Sequence, residues 1–261
     1  MRWLIIALLS NACWAYHPPT PVTIYGDDSY PPYSYSVDGE LRGIYVDILL
    51  AAFERMPEYR IKVSPVPWKR GLKLLETGEG FALFPPYYYP DQRLYISPYS
   101  HPILDEEVVV YCQPDRVKDR QLNVWPDDYL GLTVGVNESF ALGGNEFWQQ
   151  VKKGAIKLIE AKGNRNNVLN LYKNRIDCYL NDRLSILWEV KLLREEGIIN
   201  SSWKMQLGNS VSSEQGYVGF SNQSPDKYPY KDEFIQQLNT IITRFKEDGT
   251  IDEILKKYLE Q

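Results

Sequence analysis

The amino-acid sequence predicts an α/β fold built from parallel strand–helix–strand units. Short runs of β-branched and aromatic residues alternate with segments in which apolar residues recur every three or four positions. Because parallel strands need crossover connections, this alternation favours a sheet with helices on its faces. The chain has 261 residues, enough for one large domain or for two lobes of roughly 100–150 residues each.

Four strands and two helices are predicted in the first part of the chain. The strands are expected at residues 22–25, 61–66, 81–84 and 108–111. One helix begins near Gly43 and is stopped by Pro57, because proline cannot continue a helix. The second helix covers residues 69–75 and is closed by Gly78.

A second alternation follows a polar, acidic stretch at residues 113–130. Its strands are predicted at residues 133–136, 156–159 and 176–180, and its helices at residues 145–152, 166–172 and 184–194. A short strand at residues 217–220 and two amphipathic helices, separated by a turn at residues 248–250, complete the chain. The alternation therefore extends over both halves of the chain.

The N-terminus has the layout of a cleaved secretory signal. Arg2 precedes an apolar run at residues 4–9, and small residues follow up to Ala15. This run is shorter than the roughly 20 residues that span a bilayer. We therefore expect residues 1–15 to be a signal peptide that is removed on export to the periplasm. Cleavage after Ala12 would instead leave Cys13 as a lipid-modified first residue.

Composition argues against two kinds of partner. The net charge is −5 at pH 7 and no basic run is present, which argues against nucleic acid. Two histidines without clustered cysteines give no metal-site spacing, so we expect no metal. Cys112 and Cys178 would remain after export, and their spacing leaves open whether they form a disulfide or two buried thiols.

Five short motifs connect the chain to a known family. They are DDSYPPYSY at residues 27–35, GIYVDILLAAF at 43–53, SPYS at 97–100, RIDCYLND at 175–182 and EDGTIDEILKKYL at 247–259. In this order they resemble family 3 of the bacterial extracellular solute-binding proteins, the polar amino-acid receptors of ABC importers. The resemblance covers nearly all of the exported chain.

The resemblance implies the two-lobe fold of type II periplasmic binding proteins, with a discontinuous first lobe. That lobe would comprise residues 20–109 and 212–261, and the second lobe residues 110–211. Two crossover segments, near residues 106–112 and 210–215, would form the hinge. The ligand of such a protein lies between the lobes, which close on it.

The same resemblance implies a monomeric receptor without a cofactor. It would bind a small polar ligand, an amino acid or a derivative, and deliver it to an inner-membrane ABC permease. Such a receptor can instead report its ligand to a separate membrane sensor. A third alternative is an enzyme similar to cyclohexadienyl dehydratase, with Glu138 as the general acid. We expect no enzyme, because the sequence contains no nucleophile–base pair and no cofactor motif.

Two ionisable residues stand where the family binds the charged ends of an amino acid. The resemblance implies that Arg93 binds the ligand carboxylate, which a planar guanidinium matches in bidentate fashion. A surface ion pair with Asp91 is its structural alternative. Asp182 would receive the α-amino group, and it could also, or instead, cap the helix that follows it.

The expected walls of the site are aromatic. Tyr30 matches the aromatic residue that closes over the ligand, and Trp68 falls where the family has an apolar or aromatic side wall, although either could be a core residue. Family members usually carry serine or threonine before the arginine, but residues 84–90 here read FPPYYYP. In the matching turn of the second lobe only Ser139 keeps a hydroxyl, and we expect it to contact the ligand.

Overall fold

The computed structural model describes residues 18–259. The predicted signal peptide, with both candidate cleavage positions, lies outside the described residues. No helix between residues 18 and 259 combines the length and the apolar character needed to cross a bilayer.

Thirteen strands occur between residues 18 and 259. They are β1 (Thr20–Asp27), β2 (Ser29–Tyr30), β3 (Ser34–Val37), β4 (Glu40–Arg42), β5 (Tyr59–Val66), β6 (Ala82–Phe84), β7 (Ile96–Tyr99), β8 (Leu104–Cys112), β9 (Thr133–Asn137), β10 (Lys157–Ala161), β11 (Cys178–Asp182), β12 (Gln206–Gly216) and β13 (Gly219–Ser221).

The same part of the chain contains eight α-helices. They are α1 (Ile44–Phe53), α2 (Trp68–Glu76), α3 (Pro114–Val117), α4 (Gly144–Lys152), α5 (Gly163–Tyr172), α6 (Arg183–Glu195), α7 (Lys231–Glu247) and α8 (Thr250–Leu259). All predicted strands and helices are present, with bounds that differ by a few residues.

The strands form two five-stranded sheets and one small sheet. The first has the order β5-β1-β6-β13-β7, the second has the order β10-β9-β11-β8-β12, and β2-β3-β4 form an antiparallel sheet of three. Within each large sheet three neighbouring strands pair in parallel, and the two remaining strands join them through antiparallel pairs. The structure therefore confirms an α/β fold, with mixed sheets because one strand of each, β13 in the first and β8 in the second, runs against the other four.

Helix α1 shows how local sequence sets an element of this fold. Gly43 precedes it with φ 122°, and a Cβ at this position would lie 2.5 Å from the carbonyl oxygen of Tyr33, so only glycine fits. The helix ends at Phe53, before the predicted stop at Pro57, and residues 54 and 55 continue as a turn. Its apolar residues pack with those of α7 and α8 in the core of the first lobe.

Strands β8 and β12 connect the two large sheets. They pair antiparallel, Leu104 with Gly216 and Cys112 with Gln206. Leu104 belongs to the core beside the first sheet, whereas Cys112 belongs to a core beside the second. The chain thus forms two lobes joined by two crossing strands, and the first lobe is built from segments on both sides of the second. The lobe boundaries at residues 109/110 and 211/212 stay a prediction.

The two cysteines form a disulfide within the second lobe. Cys112 of β8 and Cys178 of β11 are directly opposite each other, and both are fully buried. Of the two states that the sequence left open, the structure has the bonded one.

We expect loss of this disulfide to destabilise the protein markedly. It links residues 66 positions apart, and closing a loop of that length restricts the unfolded chain by about 4 kcal/mol in the entropic description. Urea unfolding of the oxidised protein, the reduced protein and a C112A/C178A variant measures this difference. The variant serves as the control, since its stability should not depend on reductant. Equal stability of the oxidised and reduced wild type would contradict the prediction.

Candidate ligand-binding site

A cavity lies between the lobes, where the carboxyl end of β1 faces the turn after β9. Its volume is about 310 Å³ with the solvent at its open mouth included. Five aromatic rings form most of the wall: Tyr30, Trp68, Tyr87, Tyr89 and Phe140. The other ionisable groups in the lining are one guanidinium, Arg93, and one carboxyl, Asp27.

Arg93 is a buried cation. Its side chain is 6% exposed, and the guanidinium carbon lies 5.4 Å from the ring centroid of Trp68 and 5.5 Å from that of Tyr89. Arg93 makes no ion pair with any group in residues 18–259, Asp91 included, and burial lowers its pKa. A buried cation without a paired anion favours binding of an anionic ligand group.

Asp27 provides the carboxyl in the lining. It is the last residue of β1, is 3% exposed, and accepts a hydrogen bond from the Ser29 N–H at 3.0 Å. Burial raises its pKa to about 7. Sequence reasoning missed this residue, although ligands of open α/β sheets commonly bind at the carboxyl ends of parallel strands.

Phe140 from the second lobe enters the aromatic wall of the first. Its ring packs edge-on against Tyr30 and Trp68, with centroid distances of 5.5 and 5.8 Å. The indole Nε1 of Trp68 is buried without a hydrogen-bond partner. The structure thus brings Tyr30, Trp68 and Arg93 together at one cavity, and it adds Phe140, which sequence reasoning had not selected.

Asp182 is buried behind this cavity and is not part of its lining. One of its oxygens accepts the N–H of Ser185 at 2.7 Å, so the helix N-cap considered from the sequence is present. The Tyr33 hydroxyl and the Glu107 N–H favour the ionised form of this carboxyl and so act to lower its pKa. Burial, together with the nearby carboxyl of Glu106, raises the pKa of Asp182. Its contact with a ligand amino group stays a prediction.

Ser139 and Glu138 lie at the outer mouth. Ser139 has φ 64°, and its N–H donates to Glu160 Oε1 at 3.0 Å; it lines a surface groove beside Arg93 and does not line the cavity. Glu138 is half-exposed and forms an ion pair with Lys69 of the first lobe at 2.9 Å. The role of Ser139 in ligand contact stays a prediction.

A second buried carboxyl, missed from the sequence, lies next to the cavity wall. Glu106 of β8 is 2% exposed, and its Oε2 accepts the hydroxyls of Tyr30 and Tyr87, each at 2.5 Å. The hydroxyl of Tyr45 donates to Oε1. Burial raises the pKa of Glu106 to about 7, although the three hydroxyls oppose this shift.

The lobes touch each other around the mouth through protein atoms alone. The carbonyl oxygen of Pro31 accepts the Ser185 hydroxyl at 2.6 Å and the Asn164 side-chain amide at 3.1 Å. Lys162 lies 3.4 Å from Asp28, and the Lys69–Glu138 pair also crosses the gap. The structure is therefore a closed conformation.

Two α/β lobes joined by two crossing strands and closed over a small cavity define a solute-binding protein of the type II periplasmic class. A family model agrees: residues 22–261 match the bacterial extracellular solute-binding proteins, family 3, and the chain belongs to this family. A comparison with curated protein sequences finds no match.

Solved structures share the fold over nearly the whole chain. An ancestral arginine-binding protein bound to arginine has 17% identity and a TM-score of 0.72, covering 92% of this chain and 99% of its own. A histidine kinase sensor domain with similarity to periplasmic binding proteins has 15% identity and a TM-score of 0.74, covering 93% and 97%. The ancestral amino acid-binding protein AncCDT-1, a precursor of cyclohexadienyl dehydratase, has 17% identity and a TM-score of 0.67, covering 91% and 94%.

Proposed function

We propose that this protein binds a small amino acid or amino-acid-like zwitterion in the periplasm and delivers it to an inner-membrane ABC permease. The observation that carries the proposal is the pairing, in one cavity, of a buried unpaired guanidinium and a buried carboxyl. A ligand that carries both charges would satisfy both groups without leaving an uncompensated charge.

The carboxylate of the ligand would bind Arg93. This side chain offers a planar set of N–H donors, and the unpartnered Nε1–H of Trp68 adds a donor in the same wall. A single carboxylate could accept from both. The Trp68 indole thereby gains the partner that a buried N–H normally has.

The amino group of the ligand would bind Asp27 and the faces of the aromatic rings. A nearby cation favours the ionised form of a carboxyl, so binding would release a proton from Asp27 near neutral pH. Aromatic faces also attract cations. We propose Asp27 rather than Asp182 as the principal acceptor, because Asp182 already accepts the N–H of Ser185 as a helix cap and lies outside the lining.

A sensory function is the second candidate. It is supported by the likeness to the histidine kinase sensor domain, which is itself similar to periplasmic binding proteins. In that case the closed form would contact a membrane receptor instead of a permease. Catalysis has weaker support, since Glu138 is half-exposed and paired with Lys69, unlike a general acid in a dry site.

The function is tested by thermal unfolding of the exported protein in the presence of single candidate ligands. The panel contains the common amino acids, glycine betaine, polyamines and dicarboxylic acids. A zwitterion that binds only the folded state should raise the melting temperature in proportion to the logarithm of its concentration. If only purely cationic or purely anionic ligands raise the melting temperature, the proposal of a zwitterionic ligand is wrong. The fold class would be unaffected.

The aromatic side chain at the centre of the closed cavity should limit ligand size. Replacing Phe140 with alanine removes the ring between Tyr30 and Trp68, so we expect affinity for large amino acids such as L-phenylalanine to rise at least about tenfold relative to L-alanine. Calorimetric titration of both ligands measures the change. Phe140→Leu keeps most of the volume and serves as the matched control. An unchanged ratio of the two affinities in the alanine variant would show that Phe140 does not set ligand size.

A further inference from the structure

The Glu106 carboxyl links the cavity wall, through hydrogen bonds, to one of the two strands that join the lobes. It belongs to β8, whereas the tyrosines that donate to it come from β2, α1 and the loop after β6. Two of the three, Tyr30 and Tyr87, present their rings to the cavity, and their hydroxyls are also 3.0 Å apart. One buried group thus fixes two rings of the wall.

The local backbone is shaped to admit this contact. Gly216 lies opposite the start of β8 on the crossing strand β12, and a Cβ there would lie 1.7 Å from the Tyr45 hydroxyl and 3.1 Å from Glu106 Oε1. Tyr87 also forms a β-bridge with Gly216. The contact therefore depends on both crossing strands.

The charge environment of Glu106 consists of acidic and phenolic groups. It makes no ion pair with a lysine, arginine or histidine of residues 18–259. The other ionisable groups near it are Tyr33, Tyr89, Asp182 and Glu214. Three hydroxyl donors suit a carboxylate, which only accepts; when the carboxyl gains a proton, one phenol must turn from donor to acceptor.

We propose that Glu106 is a positioning residue: as a carboxylate held by three tyrosine hydroxyls, it fixes Tyr30 and Tyr87 in the cavity wall, and gain of a proton rearranges this set of hydrogen bonds. Part of this inference, the effect on ligand affinity, rests on the proposed function. The placement of the rings does not, and it can be measured without a ligand.

The test labels the tyrosine ring carbon that bears the hydroxyl with ¹³C and follows its NMR signal with pH. In the wild type, the signals of Tyr30, Tyr45 and Tyr87 should shift together with one midpoint near neutral pH. In Glu106→Gln the joint shift should vanish, and the nuclear Overhauser contacts between Tyr30 and Phe140 should weaken. Glu107→Gln, an equal charge change at an exposed neighbour on the same strand, should leave both unchanged.

A second variant, Tyr45→Phe, tests the proposal if Glu106→Gln fails to fold, because it leaves the residues of the cavity wall unchanged. In Tyr45→Phe the carboxylate loses one donor, so the joint midpoint of Tyr30 and Tyr87 should move to higher pH while the contact with Phe140 stays. An unmoved midpoint, or a joint shift that persists in a folded Glu106→Gln, would overturn the proposal. A merely structural contact would not move the midpoint.

Measuring ligand affinity distinguishes a failure of this inference from a failure of the proposed function. L-alanine and L-arginine are titrated into the wild type and Glu106→Gln at pH 6 and pH 8. For whichever amino acid binds, we expect the affinity of the variant at pH 8 to be about tenfold lower than that of the wild type. This loss is equivalent to one lost hydrogen bond to a charged group. If neither amino acid binds the wild type, the proposed function fails for these ligands, and the NMR result still decides the role of Glu106.

Discussion

Replacement of Arg93 with alanine should weaken binding of the zwitterion more than any other single substitution in the cavity. The variant leaves the ligand carboxylate buried in an aromatic cavity without a cation. Removing one partner of a buried charge pair typically costs about 2–5 kcal/mol, which corresponds to a loss of roughly 30-fold to several thousandfold in affinity. Calorimetric titration with the amino acid that gives the largest thermal shift measures it.

Two further variants make this result specific. Arg93→Lys keeps the charge but lacks the planar fork, so it should recover only part of the affinity. Arg60→Ala removes an exposed arginine of β5 and should bind as the wild type does. Full affinity in Arg93→Ala would show that the ligand carboxylate binds elsewhere, with the surface groove beside Ser139 as the next region to test.

The second large effect is a loss of stability as pH rises from about 4 to about 7. Burial raises the pKa of Glu106 from 4.5 to about 7 and that of Asp27 from 3.8 to about 7. Between those limits the folded protein holds protons that the unfolded chain has released, so the free energy of unfolding falls with pH. Between pH 5 and pH 8, each carboxyl should lower the free energy of unfolding by about 2–3 kcal/mol.

Urea unfolding at pH 5 and pH 8 measures this effect, and single substitutions assign it. Glu106→Gln and Asp27→Asn should each remove one share of the pH dependence, since an amide does not titrate. Glu107→Gln, at an exposed position, is the matched control. A protein that is equally stable at both pH values, or a slope that both amide variants retain, would contradict the expected proton uptake.

Most of the fold was predictable because its elements carry local apolar patterns. Most strands and helices of both large sheets follow such patterns, although the short strand β7 was not predicted, and the helix spacing in α7 and α8 is confirmed. The small sheet β2-β3-β4 was missed, since two to four residues give too little pattern. Strand β12 was missed apart from its hinge segment, because this half-exposed edge strand is largely polar.

Site residues that lie within a family motif could be predicted from the sequence. Those whose role depends on contacts with distant parts of the chain could not. Arg93, Tyr30 and Trp68 follow from the family resemblance, and all three line the cavity. From the local sequence, Glu106 is expected at the polar end of a strand. It becomes a buried carboxyl only because tyrosines from distant parts of the chain pack against it. The period of two in β8 was a usable signal, because it places Glu106 on the same buried face as Leu104.

The contacts that join the lobes at the mouth also affect how an affinity should be interpreted. A receptor whose open and closed forms are close in free energy binds its ligand nearly as tightly as its closed form alone would, since little is lost in shifting the population. The Lys69–Glu138 pair is exposed, so dissolved salt screens it. The dissociation constant of this protein should therefore increase with ionic strength even for a ligand that carries no net charge.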